Sequence, residues 1–273
     1  MGNEKISVVI NTLNSEQYLE RVLRSVAPFD EIVICDMGSQ DATLSLAAQY
    51  RCRVVEHAPT GFVEPARNFA IQAATHPWVL VVDSDELVPQ ALVDFLRTHV
   101  AKETPEEGIR IPRKNFFLGH WMRNDYPDYT CRFFRKSCVF WPPFIHHQPQ
   151  IEGRILTIPR KRTDLAFIHL INPSVSMRLQ KIDLYTDKEL ERRANQHVST
   201  AKLLFSPWVR FFKAYFLKGG VFEGRAGYIH AKLQGMYKFA TLAKLYEAQH
   251  ITERDADLNA FTTQETQVKT NEQ

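Results

Sequence analysis

Four short apolar runs stand in the first third of the chain: Ile6 to Ile10, Glu31 to Cys35, Arg53 to Glu56 and Trp78 to Val82. They are rich in Val and Ile and too short for helices, so they read as strands buried on both faces. Between them the period changes. Ser15 to Val26 carries Tyr18, Leu19, Val22, Leu23 and Val26 at helical spacing; Asp41 to Tyr50 carries Leu44, Leu46, Ala47 and Ala48; Glu64 to Thr75 carries Ala66, Phe69, Ala70 and Ala73. A further helix is predicted from Pro89, which suits a first helical position, through Leu92, Val93 and Leu96. Strands alternating with helices across short connections predict an α/β fold with a mostly parallel sheet.

The regularity fades after Val100. A Pro- and charge-rich linker, Ala101 to Gly108, leads into a stretch dense in aromatics and arginines from Ile109 to Ile158, read as a second, more irregular lobe. Pro173 to about Gln249 is helical in pattern, and Glu253 to Gln273 is polar with few large apolar side chains, so a frayed tail is expected there. With 273 residues and 44% hydrophobic content, the chain can bury a large core. Its formal net charge of +3 does not by itself argue for nucleic acid.

Cys35, Cys52, Cys131 and Cys138 form no CxxC pair and follow no signal-peptide pattern, which points to a reducing cytoplasm. Cys131, Cys138, His146 and His147 match no common zinc spacing, and half-buried thiols explain the cysteines as well. No apolar run approaches the roughly 20 residues needed to span a bilayer.

Ligands of open parallel sheets bind beyond the carboxyl ends of the strands, so the residues just after each strand are informative. The second run ends in Cys35-Asp36-Met37-Gly38-Ser39-Gln40-Asp41. Gly38 permits a tight turn, Asp41 can cap the next helix, and Asp36 is left to face the crevice or to close an Asx-turn. The fourth run passes straight into Asp83-Ser84-Asp85-Glu86. Carboxylates there need cations or solvent, and in an extended segment Asp83 and Asp85 would face one ligand together. Such a pair is what a hard divalent cation asks of a protein when substrate phosphates complete its shell. The bland alternative is a loop that caps the helix at Pro89.

At this point the segments Ile6 to Asn14, Glu31 to Thr43, Ala66-Arg67-Asn68, Trp78 to Glu86, Arg113 to Gly119, Tyr126-Pro127-Asp128 and Arg132-Phe133-Phe134-Arg135 can be taken together. In them the chain resembles the family 2 glycosyltransferases of the GT-A fold, and among those the bacterial enzymes that add sugars to the lipopolysaccharide core. The resemblance implies that residues 1–100 are the nucleotide-sugar-binding half of a Rossmann-like GT-A domain and 101–172 its acceptor-side half. Residues 173–250 would then be a helical extension and 251–273 a flexible tail. It implies that Thr12, Asn14 and Asp36 hold base and ribose, that Asp83 approaches the ribose or joins the metal, and that Asp85 coordinates Mg²⁺ or Mn²⁺ on the donor diphosphate. Arg67 would assist the phosphates or pair with a nearby carboxylate.

Relatives of this type invert the anomeric centre, which calls for a general base on the acceptor hydroxyl. Asp128 is the first choice, with Asp125 and Glu152 as rivals. Relatives commonly carry His-Glu after the apolar turn of the second lobe, whereas this chain has Ile145-His146-His147-Gln148. His146, His147 and His169 are candidates for diphosphate or metal contacts, or for structural roles.

Between Lys202 and Tyr246 eight lysines and arginines alternate with aromatics against Glu223 as the lone acid. Helices of this composition suit the anionic inner face of the cytoplasmic membrane, and a lipid-linked acceptor would make that location useful. Packing within a helix pair, broken at Lys218-Gly219-Gly220, is the competing reading; no nucleic-acid reader motif accompanies the charge. A nucleotidyltransferase would also use strand-end carboxylates, but Asn11 to Glu16 holds no glycine for a phosphate loop. A catalytically silent scaffold is the reading that the missing His-Glu leaves open.

Overall fold

The strand at Ile6–Thr12 (β1) is buried along its whole length, because apolar side chains leave it on both faces. The structure is a computed structural model that describes residues 4–59, 61, 63–143, 147–193 and 196–271, with the backbone alone described at 191, 192 and 251–271. Along the chain follow α1 (Glu16–Val26), β2 (Glu31–Asp36), α2 (Thr43–Gln49), β3 (Arg53–Glu56), α3 (Glu64–Ala73), β4 (Trp78–Asp83), β5 (Glu86–Leu87) and α4 (Gln90–Val100). The second half of the first unit adds β6 (Gly108–Ile111), β7 (Arg113–Lys114), β8 (Phe116–Phe117), β9 (His120–Trp121), β10 (Thr130–Arg135), β11 (Val139–Phe140), β12 (Gln150–Ile151), β13 (Ile155–Thr157) and β14 (Phe167–His169).

Seven of these strands form one sheet in the order β13-β6-β10-β4-β1-β2-β3. Pairing is parallel throughout except at β10, which runs antiparallel to both β4 and β6. The alternation along each strand sorts the core into two layers. Val8, Ile10, Leu80 and Val82 pack with Leu19, Leu23, Leu92 and Leu96 of α1 and α4. Val9, Val33, Val79 and Val81 pack with Ala66, Ala70 and Ile71 of α3. β3 departs from the expected two-sided burial: it is the edge strand, and three of its four residues are exposed.

A small sheet, β5-β14-β7, matters more for the site than its size suggests. It pairs His169 with Glu86 and Phe167 with Arg113, so three distant segments meet just past the end of β4.

The chain divides into two units, Met1–Asn172 and Pro173–Gln273. The second unit, taken by itself, is helical: α5 (Val175–Arg193), α6 (Thr200–Phe212) continued by a wider turn over Lys213–Leu217, and α7 (Gly224–Asn271). Gly219, in the left-handed region at φ 78°, makes the turn between α6 and α7. Gly227 lets α7 approach that turn, since a Cβ there would lie 2.0 Å from the Gly220 carbonyl oxygen. Where a frayed tail was expected, the backbone of α7 continues helically to Asn271. The segment holds no glycine or proline to stop it.

Candidate active site

β4 ends at Asp83, and the chain then turns at Ser84-Asp85 into β5. The backbone is not extended there, so Asp83 and Asp85 do not face one ligand together as strand alternation predicted. Nor do they cap α4, whose N-cap is Pro89 with no side-chain cap bond. The Leu170 amide donates to the Asp85 carbonyl at 2.7 Å and fixes the turn against the end of β14.

Asp83 is gripped by two arginines. Arg67 Nη2 donates to its Oδ1 at 2.9 Å and Arg132 Nη2 to its Oδ2 at 2.6 Å. Both guanidinium groups are nearly fully buried and lie against the Trp141 ring, at 4.5 and 5.4 Å from its centroid. Asn68 fixes Trp141 from both sides, its Nδ2 donating to the Trp141 carbonyl and its Oδ1 accepting from the Trp141 amide. Burial opposes ionisation of Asp83, but Arg132 and then Arg67 outweigh it and hold the carboxyl well below the usual carboxylate range. Of the two roles open to Arg67, the geometry is that of a carboxylate partner.

Asp85 is brought to His169 instead, with Oδ2 and Nε2 3.4 Å apart and both side chains about one-fifth exposed. The hydrogen-bond order behind His169 defines its tautomer. The Asp128 carboxylate can only accept, so Asn115 turns its Nδ2 toward it at 2.7 Å. Asn115 Oδ1 then faces His169 Nδ1 at 2.9 Å, which places the proton on Nδ1. In the neutral imidazole Nε2 is left a bare acceptor facing a carboxylate oxygen. Two acceptors at that separation fit a cation between them, with an outer hydrogen bond orienting the histidine. Among the described residues no group of three or more His, Cys, Asp or Glu could hold a metal alone, so a cation at Asp85 and His169 would need ligand oxygens as well.

Asp128, the expected base, belongs to the same network. Its Oδ2 accepts from Arg113 Nε at 3.0 Å, Arg113 Nη2 at 2.7 Å and Asn115 Nδ2. Burial raises its pKa less than Arg113 and Asn115 lower it, so the carboxyl sits below its ordinary value. Arg113 also holds the fully buried Glu86 through Nη1 at 3.0 Å. Burial and Asp83 push Glu86 upward against Arg132 and Arg113.

The rivals fare differently. The amide of Asp125 donates to the Met122 carbonyl in the turn before Asp128. Glu152 is at the wrong end: it precedes β13, whose Ile155 pairs with Gly108, opposite Phe134 near the amino end of β4. His147 is exposed and its carbonyl accepts from Trp141 Nε1; His146 lies outside the described residues.

Thr12, Asn14 and Asp36 frame the strand-one turn. Asp36 is buried, and the expected crevice-facing carboxylate is instead an Asx-type turn. Its Oδ2 accepts from the Gly38 and Ser39 amides, and its Oδ1 from the Thr12 and Ser39 hydroxyls. Asn14, at φ 49°, accepts the Gln40 amide and donates its own amide to Ser39 Oγ. Glu16 and Asp41 exchange backbone bonds across the same gap, Asp41 accepting the Glu16 amide and Glu16 the Ala42 amide. These side chains shape the pocket wall; their polar atoms are largely engaged with each other.

Trp141, Arg132, Arg113, Asn115 and Asn68 were not singled out from the sequence for roles in the site. Their partners lie far away in the chain, as with Asn68 and Trp141, 73 residues apart. What could have flagged them is the pairing of Arg and Asn in both Ala66-Arg67-Asn68 and Arg113-Lys114-Asn115.

A mostly parallel sheet with an acidic turn at the end of β4, faced by a histidine from a second lobe, defines a glycosyltransferase of the GT-A fold. Comparison with known proteins narrows the class. The family model described as glycosyl transferase family 2 matches residues 7–106, and that part of the chain carries the family's pattern. It is 28% identical over 261 residues to the lipopolysaccharide core biosynthesis glycosyltransferase LpsC of Rhizobium meliloti, covering 91% of this chain and 94% of that one. The poly(ribitol-phosphate) beta-N-acetylglucosaminyltransferase TarS of Staphylococcus aureus is 36% identical over 220 residues, 72% of this chain but 37% of TarS. Among solved structures, the mannosyltransferase PcManGT from Pyrobaculum calidifontis, in complex with GDP-Man and Mn²⁺, shares the fold with a TM-score of 0.52 at 14% identity. That match covers 90% of this chain and 88% of the mannosyltransferase.

Proposed function

We propose that the protein is an inverting glycosyltransferase that moves a sugar from a nucleotide-diphosphate donor to a lipid-linked acceptor of the lipopolysaccharide-core type. The observation that carries the donor half is the pairing of Asp85 Oδ2 with His169 Nε2, 3.4 Å apart beside the end of β4, which with a neutral His169 makes two acceptors facing each other. A divalent cation, Mg²⁺ or Mn²⁺, would be held there by these two side chains, and its chemistry is to neutralise the charge that develops on a departing diphosphate. The residues Thr12, Asn14 and Asp36 keep the wall for base and ribose in shape, and the Arg67–Asp83–Arg132 clamp keeps the end of β4 rigid.

Asp128 acts as the base. All its hydrogen bonds within the network converge on Oδ2, which leaves Oδ1 to accept the proton of an acceptor hydroxyl. Arg113 and Asn115 hold it in the ionised form. The resemblance to LpsC supports the acceptor class.

The second unit supports a place on the inner face of the cytoplasmic membrane. No helix among the described residues is long and apolar enough to cross a bilayer. Yet Leu204, Phe205, Trp208, Val209, Phe212 and Phe216 form an exposed stripe on α6 and its continuation. Basic side chains flank it, with Lys232 Nζ 4.6 Å from the Trp208 ring centroid.

The test is incubation with a panel of nucleotide sugars and Mg²⁺ or Mn²⁺, comparing the native chain with Asp85→Ala for donor binding and hydrolysis. Metal-dependent binding that Asp85→Ala abolishes is expected. Donor binding that ignores both the metal and Asp85 would overturn the metal-assisted reading, and turnover of donors without transfer to any lipid extract would overturn the acceptor.

A further inference from the structure

Beside the apolar stripe, wholly within the second unit, lies a cavity of about 450 Å³ between α5, α6 and α7. Its charged lining is unbalanced: Arg193, Arg210, Lys213 and Lys238 against the single carboxylate of Glu189. That carboxylate is already engaged. Tyr237 donates to its Oε1 at 2.6 Å, and Arg193 Nε lies 3.0 Å from its Oε2. Arg210 is oriented by Gln234, whose Oε1 accepts from both Nε and Nη2. Among the described residues no carboxylate pairs with Arg210, Lys213 or Lys238.

Partial burial and then Arg193 lower the pKa of Lys238, Arg210 adds to them, and Glu189 offsets them only in part, so the ammonium gains from an anion that enters. Phe205 and Val209 line the same cavity and belong to the exposed stripe. A ligand at this mouth would therefore meet concentrated positive charge inside and an apolar surface outside. That is the chemistry of a lipid headgroup rather than of a free anion. A phosphate monoester carries about −1.5 to −2 charge and three acceptor oxygens, which suits the Arg210 guanidinium and the two ammoniums of Lys213 and Lys238 better than a singly charged diester.

We propose that this cavity binds the phosphomonoester headgroup of a membrane lipid, with Arg210, Lys213 and Lys238 on the phosphate and the α6 stripe in the interface. The proposal rests on the membrane-surface reading of the second unit and adds headgroup selectivity to it.

Flotation of the full chain tests it with three vesicle types: phosphatidylcholine alone, the same lipid with phosphatidic acid, and with phosphatidylglycerol at matched surface charge. Binding about tenfold tighter to the phosphatidic acid vesicles is expected, equivalent to about 1.4 kcal/mol. Lys213→Gln with Lys238→Gln should erase that preference while leaving comparable binding to both anionic vesicles, with circular dichroism confirming the fold. Phe205→Ser with Val209→Ser should weaken binding to both.

Equal binding of the native chain to the two anionic vesicles would overturn the headgroup pocket and leave the membrane reading standing. Binding to no vesicle would overturn both. Inorganic phosphate that binds the chain as well as phosphatidic acid vesicles do would assign the cavity to a soluble anion and refute the lipid source.

Discussion

Replacing Asp83 by Asn removes one negative charge from between two buried guanidinium groups while keeping the side-chain shape. Two charge-assisted hydrogen bonds are affected, at 2.9 and 2.6 Å, each of a kind that contributes about 1.5–3 kcal/mol. Breaking a buried ion pair from one side costs about 3–5 kcal/mol, because the remaining charge stays buried and uncompensated. Here two charges would remain. Arg67 Nε and Nη1 and Arg132 Nη1 are buried and meet no acceptor among the described residues, so Asp83 is their main compensation. Against this, the Asp83 side chain is 27% exposed and Asn keeps one acceptor oxygen, which places the cost near the lower figure.

Asp83→Asn should thus destabilise the first unit by about 3 kcal/mol, moving its urea midpoint down by about 1.5 M for a slope near 2 kcal/mol per M. Tryptophan fluorescence and far-ultraviolet circular dichroism would measure it. Arg67→Met added to Asp83→Asn should recover part of the loss, because it removes one orphaned charge. An unfolding free energy for Asp83→Asn within about 0.5 kcal/mol of the native chain's would refute the argument and leave Asp83 free for a ligand.

Asp85→Asn should behave in the opposite way: stability within about 0.5 kcal/mol of native, but donor turnover reduced by about 100-fold or more, measured by nucleotide release. Asn115→Leu removes the acceptor that orients His169, so the metal concentration for half-maximal activity should rise by about 10- to 100-fold in a Mn²⁺ titration. The same substitution removes a donor to Asp128. Arg113 and Asn115 hold the Asp128 pKa below its ordinary value against burial, so the native carboxylate stays ionised at lower pH than a free aspartate, and its stability contribution is present above the unfolded pKa and lost as pH falls through the folded one. The acid limb of activity should therefore move to higher pH in Asn115→Leu; an unmoved limb would argue against Asp128 as base. Glu152→Gln, at the far end of the sheet, should leave turnover within about twofold of native in the same assay.

The first hundred residues were legible from sequence because local periodicity and turn chemistry act there alone. Strands at Ile6, Glu31, Arg53 and Trp78 and the helices between them follow from apolar spacing, and the parallel order follows from their alternation. The acidic turn after Trp78 to Val82 was visible for the same reason: charge directly after a buried strand is a local signal. Whether Asp36 faces outward or closes a turn was not local, since it depends on Thr12 reaching across from the neighbouring strand.

Tertiary structure alone decided what each carboxylate does. Asp83 and Asp85 stand two residues apart, yet one meets arginines from α3 and β10 and the other a histidine from β14. The burial of Asp83 between guanidiniums, the tautomer of His169 and the anchoring of Asp128 depend on contacts between side chains on different elements, from 13 residues apart for Asn115 and Asp128 to 54 for Asn115 and His169. Sequence periodicity carries no record of such contacts, because an unpaired charge and a paired one look the same until the chain has folded around them.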